Sequence, residues 1–153
     1  MASVEEDPRP HGASRGSRRR SREFALQALY QWLLARTEPA ALVAQAAEKS
    51  DYARADRAYV ETLINGVIAR AAELEAALQP FLDRPVGQLS PIEHALLLIG
   101  AFELTVSLDV PYRVAINEAV ELAKVYGGTD GHRYVNGVLD KLAAQVRPLE
   151  VRK

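Results

Sequence analysis

"SRRRSREFALQALYQWLLA", Ser17–Ala35, decides how the chain is read. Leu26, Leu29 and Leu33 recur at helical spacing with Ala25, Ala28 and Trp32 beside them, which marks the buried face of an amphipathic helix. Arg18 and Arg22 continue the same stripe backwards in steps of four, so guanidinium groups precede the apolar packing on one face. Arginines at a helix start oppose the helix dipole, at a cost of roughly 0.3 kcal/mol or more each. The residues themselves suggest a charged prow at the end of a bundle, with Arg18, Arg19 and Arg22 offered to phosphates by paired hydrogen bonds. A solvated, fraying helix end is a competing reading. So is an anionic membrane surface, although the apolar face behind the arginines is needed for a core.

Outward from this helix the pattern stays helical. Thr37 and Pro39 suggest a second helix start in "TEPAALVAQAAEKS". A long apolar period runs from about Asp56 to Leu82, bent near Gly66 or Pro80 and ended by Pro85 and Gly87. In "SPIEHALLLIGAFEL", Ser90 is an N-cap, Pro91 takes the first helical position and Glu93 completes a capping box. Tyr112, Ile116, Ala119, Ala123 and Tyr126 give the next stripe, stopped by Gly127 and Gly128. A last helix spans about Asp130 to Val146, with Asp130 as its cap and Pro148 beyond its end. No stretch alternates as a strand does. The expectation is an all-α fold, a compact bundle of six to seven helices. Residues 1–16 are expected as a disordered tail, 17–148 as one helical domain and 149–153 as a short C-terminal tail.

Charge is unevenly placed. Residues 15–22 hold five arginines and no acid, whereas residues 38–109 hold 11 acids against 5 bases. Such a chain can bind a polyanion at one end and a basic partner on its flank. A second anion-facing segment is expected at "KVYGGTDGHRYVNG". There Tyr126 ends one helix, and Asp130, Arg133 and Tyr134 open the next, whose first amides face outward. Aromatics that stack bases beside cations that hold the backbone suit single-stranded RNA. For Tyr126 a capping core aromatic is an equal reading.

Enzyme chemistry finds little footing. There is no cysteine, and His11, His94 and His132 lie far apart without ligand spacing. Glu118 and Glu121 share a helix face, most simply a solvated one. No cofactor, metal site or catalysis is expected. The lack of cysteine suits a reducing cytoplasm, the expected location, and no apolar run approaches a membrane span.

The blocks "SRRRSREFALQALYQW", "DVPYRVAINEAVELAKVYG" and "RYVNGVLDKL", with "SPIEHALLLIGAFEL" between them, resemble the NusB family of bacterial transcription antitermination factors over roughly residues 17–147. The resemblance implies an all-helical protein that pairs with NusE, a small-subunit ribosomal protein. The pair binds boxA RNA in nascent ribosomal RNA transcripts and joins RNA polymerase and other Nus factors to resist termination. It further implies RNA contacts at Arg18, Arg19, Arg22, Tyr126, Asp130, Arg133 and Tyr134, and a NusE-facing side at Tyr30 and Glu93. Read from the residues alone, Tyr30 could equally be core, one turn past Leu26. Alternatives are an RNA-targeting subunit related to the helical domain that fronts some ribosomal RNA cytosine methyltransferases, or a protein-interaction bundle without specific RNA binding. If the arginines are a surface grip, replacing Arg18, Arg19 and Arg22 together by alanine should leave folding intact.

Overall fold

The computed structural model describes residues 15–152 and contains no strand among them. Its helices are α1 (Arg15–Ala35), α2 (Pro39–Ala47), α3 (Arg57–Ala69), α4 (Ala71–Leu78), α5 (Pro91–Thr105), α6 (Tyr112–Tyr126), α7 (Gly131–Val146) and the single turn α8 (Pro148–Val151). Residues 1–14, most of the expected tail, lie outside the described residues. The all-α bundle expected from the periodicity is what forms.

Helix α5 is the axis. Every residue from Ala95 to Leu104 is buried, and α1, α3, α4, α6 and α7 all pack on it. A helix apolar all round has no solvent face to offer, so its neighbours must enclose it. Its start is set locally, as expected: Pro91 opens the first turn and the Ser90 hydroxyl accepts from the Glu93 N–H at 3.3 Å. Helix α3 is started by Asp56, whose carboxylate accepts from the Tyr59 N–H at 3.2 Å.

Two boundaries differ from the sequence expectation. The Asp56–Leu82 pattern is not one bent helix but two, broken at Arg70 rather than at Gly66 or Pro80. Helix α3 buries Tyr59, Val60, Leu63, Ile64 and Val67 in packing with α1 and α5, whereas α4 buries Leu74 and Leu78 against α5 and α7. A straight rod cannot serve both sets of neighbours. Gly66 serves close packing instead: a β-carbon there would lie 2.5 Å from the Phe102 ring. At α2, the cap position belongs to Glu38, which makes no side-chain cap bond, and not to Thr37.

Just before the expected C-terminal tail the chain is anchored, and within the tail Glu150 and Val151 pack back while Leu149 stays 74 % exposed. Arg147 is buried and donates to the carbonyls of Glu103 at 3.0 Å, Leu104 at 2.8 Å and Val110 at 2.9 Å. These are acceptors left open where α5 ends and turns towards α6. Glu150 of α8 accepts from Arg147 at 2.6 Å and from the Tyr112 N–H at 2.9 Å, tying the last turn to the start of α6.

Short connections make α5, α6 and α7 successive antiparallel neighbours. Helix α1 runs beside α6 in the same direction, since Arg19 meets Glu118 while Arg20 through Gln27 face Tyr126. Thus the front of α1, the end of α5 and the α5–α6 turn share one end of the bundle. The back of α1, the start of α5 and the α6–α7 turn share the other.

Candidate nucleic-acid interface

The arginine head is only partly a prow. Arg22 is 3 % exposed and donates from Nε to both carboxylate oxygens of Glu103, at 3.1 and 2.9 Å. Glu103 is fully buried, and the Tyr59 hydroxyl donates to it as well. Burial pushes the Glu103 carboxyl up, and Arg22 and Tyr59 oppose the shift; burial and the Glu103 charge push the Tyr59 phenol up. The stripe logic places Arg22 inward, one turn before Leu26, and α3 and α5 extend the core past the point where the apolar stripe of α1 ends. The expectation that Arg22 projects towards RNA is therefore corrected. Alanine at all three arginines is accordingly expected to destabilise the fold through Arg22.

Arg19 keeps its guanidinium half in solvent, and its Nε and Nη2 donate to the Glu118 carboxylate at 2.9 and 2.8 Å. Glu118 is buried rather than solvated, 4.0 Å from Arg22 Nη1, whereas Glu121 is exposed and pairs with Lys124. Arg18 lies 4.1 Å from the Tyr59 ring centroid and pairs with Asp56 and Asp109. Arg20, which sequence reasoning passed over, pairs with Glu23 and Asp51. Of the acidic middle, Asp51, Asp56, Glu103 and Asp109 thus face the α1 arginines, so much of the charge split is neutralised within the molecule. That answers why the helix dipole tolerates the arginines: carboxylates from α5, α6, the segment before α3 and the α5–α6 turn surround them.

Two hollows lie at the end of α6, one beside α1 and one along the α6–α7 turn. Tyr126 is 42 % exposed, not a core cap, and lines a polar hollow with Arg20, Glu23, Phe24, Gln27, Lys49 and Asp51. A second hollow follows along Lys124, Gly127, Gly128, Thr129, Asp130 and His132. Glu118 and Tyr126 are eight residues apart on α6, about 12 Å, which separates the Arg19 grip from the aromatic end.

Asp130 adopts φ 66° and makes no side-chain cap bond, contrary to its expected cap role. Its carbonyl accepts the Arg133 and Tyr134 N–H groups, and its exposed carboxylate pairs with Arg133 at 3.8 Å. Tyr134 is half-buried: its hydroxyl donates to Asp83 at 3.0 Å, and Arg84 sits 5.0 Å from its ring centroid. Hydrogen bonds from Arg84 and then Tyr134 hold the Asp83 carboxyl down at about 2, so Tyr134 keeps an anionic partner at any physiological pH. Asp83 and Arg84 lie some fifty positions from Tyr134, and no spacing signal could have found them.

Tyr30 is 39 % exposed, so its core reading is corrected. Glu93 reaches the start of α7, where a β-carbon on Gly131 would lie 3.0 Å from its Oε2. An internal carboxylate therefore already faces this helix start. Tyr30 follows Arg22 by about 12 Å on α1 and Glu93 precedes Glu103 by about 15 Å on the antiparallel α5, so both stand at the Tyr126 end. Among the described residues no group of three or more His, Cys, Asp and Glu is arranged to hold a metal, and no helix is long and apolar enough to cross a membrane.

The NusB family model matches residues 19–144. The chain belongs to the NusB family. A Ralstonia nicotianae protein named Transcription antitermination protein NusB is 54 % identical over 143 residues, covering 94 % of this chain and 92 % of that one. A Burkholderia mallei protein of the same name is 53 % identical over 138 residues, covering 90 % of this chain and 95 % of that one. The solved structure of T. maritima NusB superposes with a TM-score of 0.78 at 26 % identity, over 89 % of this chain and 97 % of that one. The NusB match takes in Arg19, Arg22, Tyr30, Glu93, Tyr126, Asp130, Arg133 and Tyr134, and starts one residue after Arg18.

Proposed function

We propose that this chain is a non-catalytic, cytoplasmic RNA-binding antitermination factor. With NusE it binds boxA RNA in nascent ribosomal RNA transcripts and, through the other Nus factors, helps RNA polymerase resist termination. The observation that carries the reading is the hollow in which Arg20 and Lys49 stand with Tyr126, cations for a phosphate backbone beside an exposed ring for a base, with the half-exposed Arg19 about 12 Å away along α6. Arg22 acts here as the internal support of that head rather than as an RNA contact. Arg18, Arg19, Tyr126, Arg133 and Tyr134 form the RNA-facing set, with Asp130 shaping the turn between them. Tyr30 and Glu93 form the NusE-facing set. Because Glu93 abuts Gly131, a partner held there also steadies the turn that presents Asp130 to Tyr134.

Fluorescence anisotropy of a boxA single-stranded RNA against a scrambled one, with and without NusE, tests the reading. Preference for boxA that strengthens with NusE is expected. Equal weak binding to both RNAs, indifferent to NusE, would leave a protein-interaction bundle.

Two variants refine the test. Replacing Arg19 and Arg20 together by alanine is expected to lower the salt dependence of RNA binding by about 1.4 in log–log slope, at about 0.7 per phosphate contact on single strands. The Arg20 change should barely move the melting temperature, because exposed ion pairs contribute about 0–1 kcal/mol. The Arg19 change takes a bidentate partner from the buried Glu118 and is expected to lower it. Tyr126→Ala is expected to cost about 1–3 kcal/mol of RNA affinity with the salt slope unchanged, since stacking releases no counterions. A changed slope with no loss of affinity would assign Tyr126 elsewhere.

A further inference from the structure

Among the head arginines, Arg18 is held differently. Arg19 and Arg22 each make two hydrogen bonds of 3.1 Å or less to a carboxylate. Among the described residues Arg18 has only a long one, from Nη1 to Asp109 at 3.4 Å. Its Nε is buried without a hydrogen-bond partner, because the buried Asp56 carboxylate stands 3.7 Å away, close enough to pair electrostatically but not to bond. The guanidinium plane is nevertheless fixed, 4.1 Å from the Tyr59 ring centroid. Asp109 itself lies on the α5–α6 turn with 70 % of its side chain in solvent. A preset cation, its Nε buried against Asp56, is therefore covered at Nη1 by a loosely attached, exposed carboxylate.

We propose that Asp109 is a releasable stand-in for an RNA phosphate, occupying Arg18 in the free protein and giving way when the backbone of a bound strand arrives. The inference rests on the RNA-binding reading above. A phosphodiester offers two free oxygens to the guanidinium fork, which is a better match than one long bond to a carboxylate. The same carboxylate repels phosphates that are not positioned by the rest of the groove. Asp109 thereby lowers affinity for unselected polyanions, a specificity role that neither family resemblance nor helix pattern assigns to it.

The test is a double-mutant cycle read by anisotropy of a fluorescein-labelled boxA single-stranded RNA, with thermal melts run alongside. Asp109→Asn is expected to bind about two- to fivefold more tightly, the scale of an exposed pair, with an unchanged melting temperature. In an Arg18→Ala background, or Arg18→Gln if alanine perturbs the melt, the same substitution is expected to change affinity by less than half as much. Unchanged affinity for Asp109→Asn would overturn the proposal while leaving the RNA reading intact. An equal gain with and without Arg18 would overturn it too, because the effect would then be the general field of the protein. Absence of RNA binding by the wild type and every variant, down to low salt, would overturn both.

Discussion

Replacing Arg22 by alanine is expected to cost about 3–5 kcal/mol of folding stability, the scale of removing one partner from a buried ion pair. The loss would leave Glu103 near the end of α5 fully buried with Tyr59 as its remaining donor. Desolvation already pushes that carboxyl up, and removing the guanidinium removes the main force holding it ionised. Since whole domains are stable by about 5–15 kcal/mol, the variant stands near the edge of folding. Urea denaturation reads the effect as a shift in midpoint. A paired replacement separates packing from charge: Arg22→Met with Glu103→Leu removes both charges and is expected to recover most of the loss. A loss below about 1 kcal/mol for Arg22→Ala would show that Glu103 finds another partner, and the pair would not be the support proposed here.

Arg147→Ala is expected to cost about 3 kcal/mol or more, because three buried backbone carbonyls lose their donor at once, at about 1–3 kcal/mol for each group left unsatisfied. The carbonyls of Glu103, Leu104 and Val110 lie at the end of α5 and along the turn to α6. The turn that carries Asp109 is thus anchored from the C-terminal end of the chain. Arg147→Lys keeps the charge but cannot present a planar fork to several acceptors, so it is expected to recover less than half of the loss. Amide hydrogen exchange would localise the effect, with protection falling first around residues 104–112. Uniform loss across the molecule would instead make Arg147 part of the global core.

How much of this was legible before folding differs from residue to residue. The start of α5 was readable because Ser90 and Pro91 act within one turn, and such signals need no tertiary partner. The bundle was readable from apolar periodicity alone. Arg22 was not, since its partner lies 81 positions away, and Arg19 meets Glu118 across 99. One signal was nevertheless present. Glu103 interrupts the run "ALLLIGAFEL", and an acid in a helix apolar all round needs a buried cation; Arg22, in register with Leu26, was the candidate. Glu118 looked solvated because one helix cannot show which neighbour covers it. The break at Arg70 reflects two sets of neighbours, and the left-handed Asp130 a turn geometry, neither of which periodicity encodes.

The central claim is that RNA lies in the groove between α1 and α6 and continues over the α6–α7 turn. The most direct measurement is a titration of isotope-labelled protein with boxA RNA, following backbone amide shifts residue by residue. The expected result is a set of perturbed amides over residues 18–27, 49–51 and 124–134, with the hollow between α3 and α5 around Asn65, Gly66 and Arg70 unchanged. Perturbation centred on that α3–α5 hollow, or confined to the first turn of α1, would contradict the account.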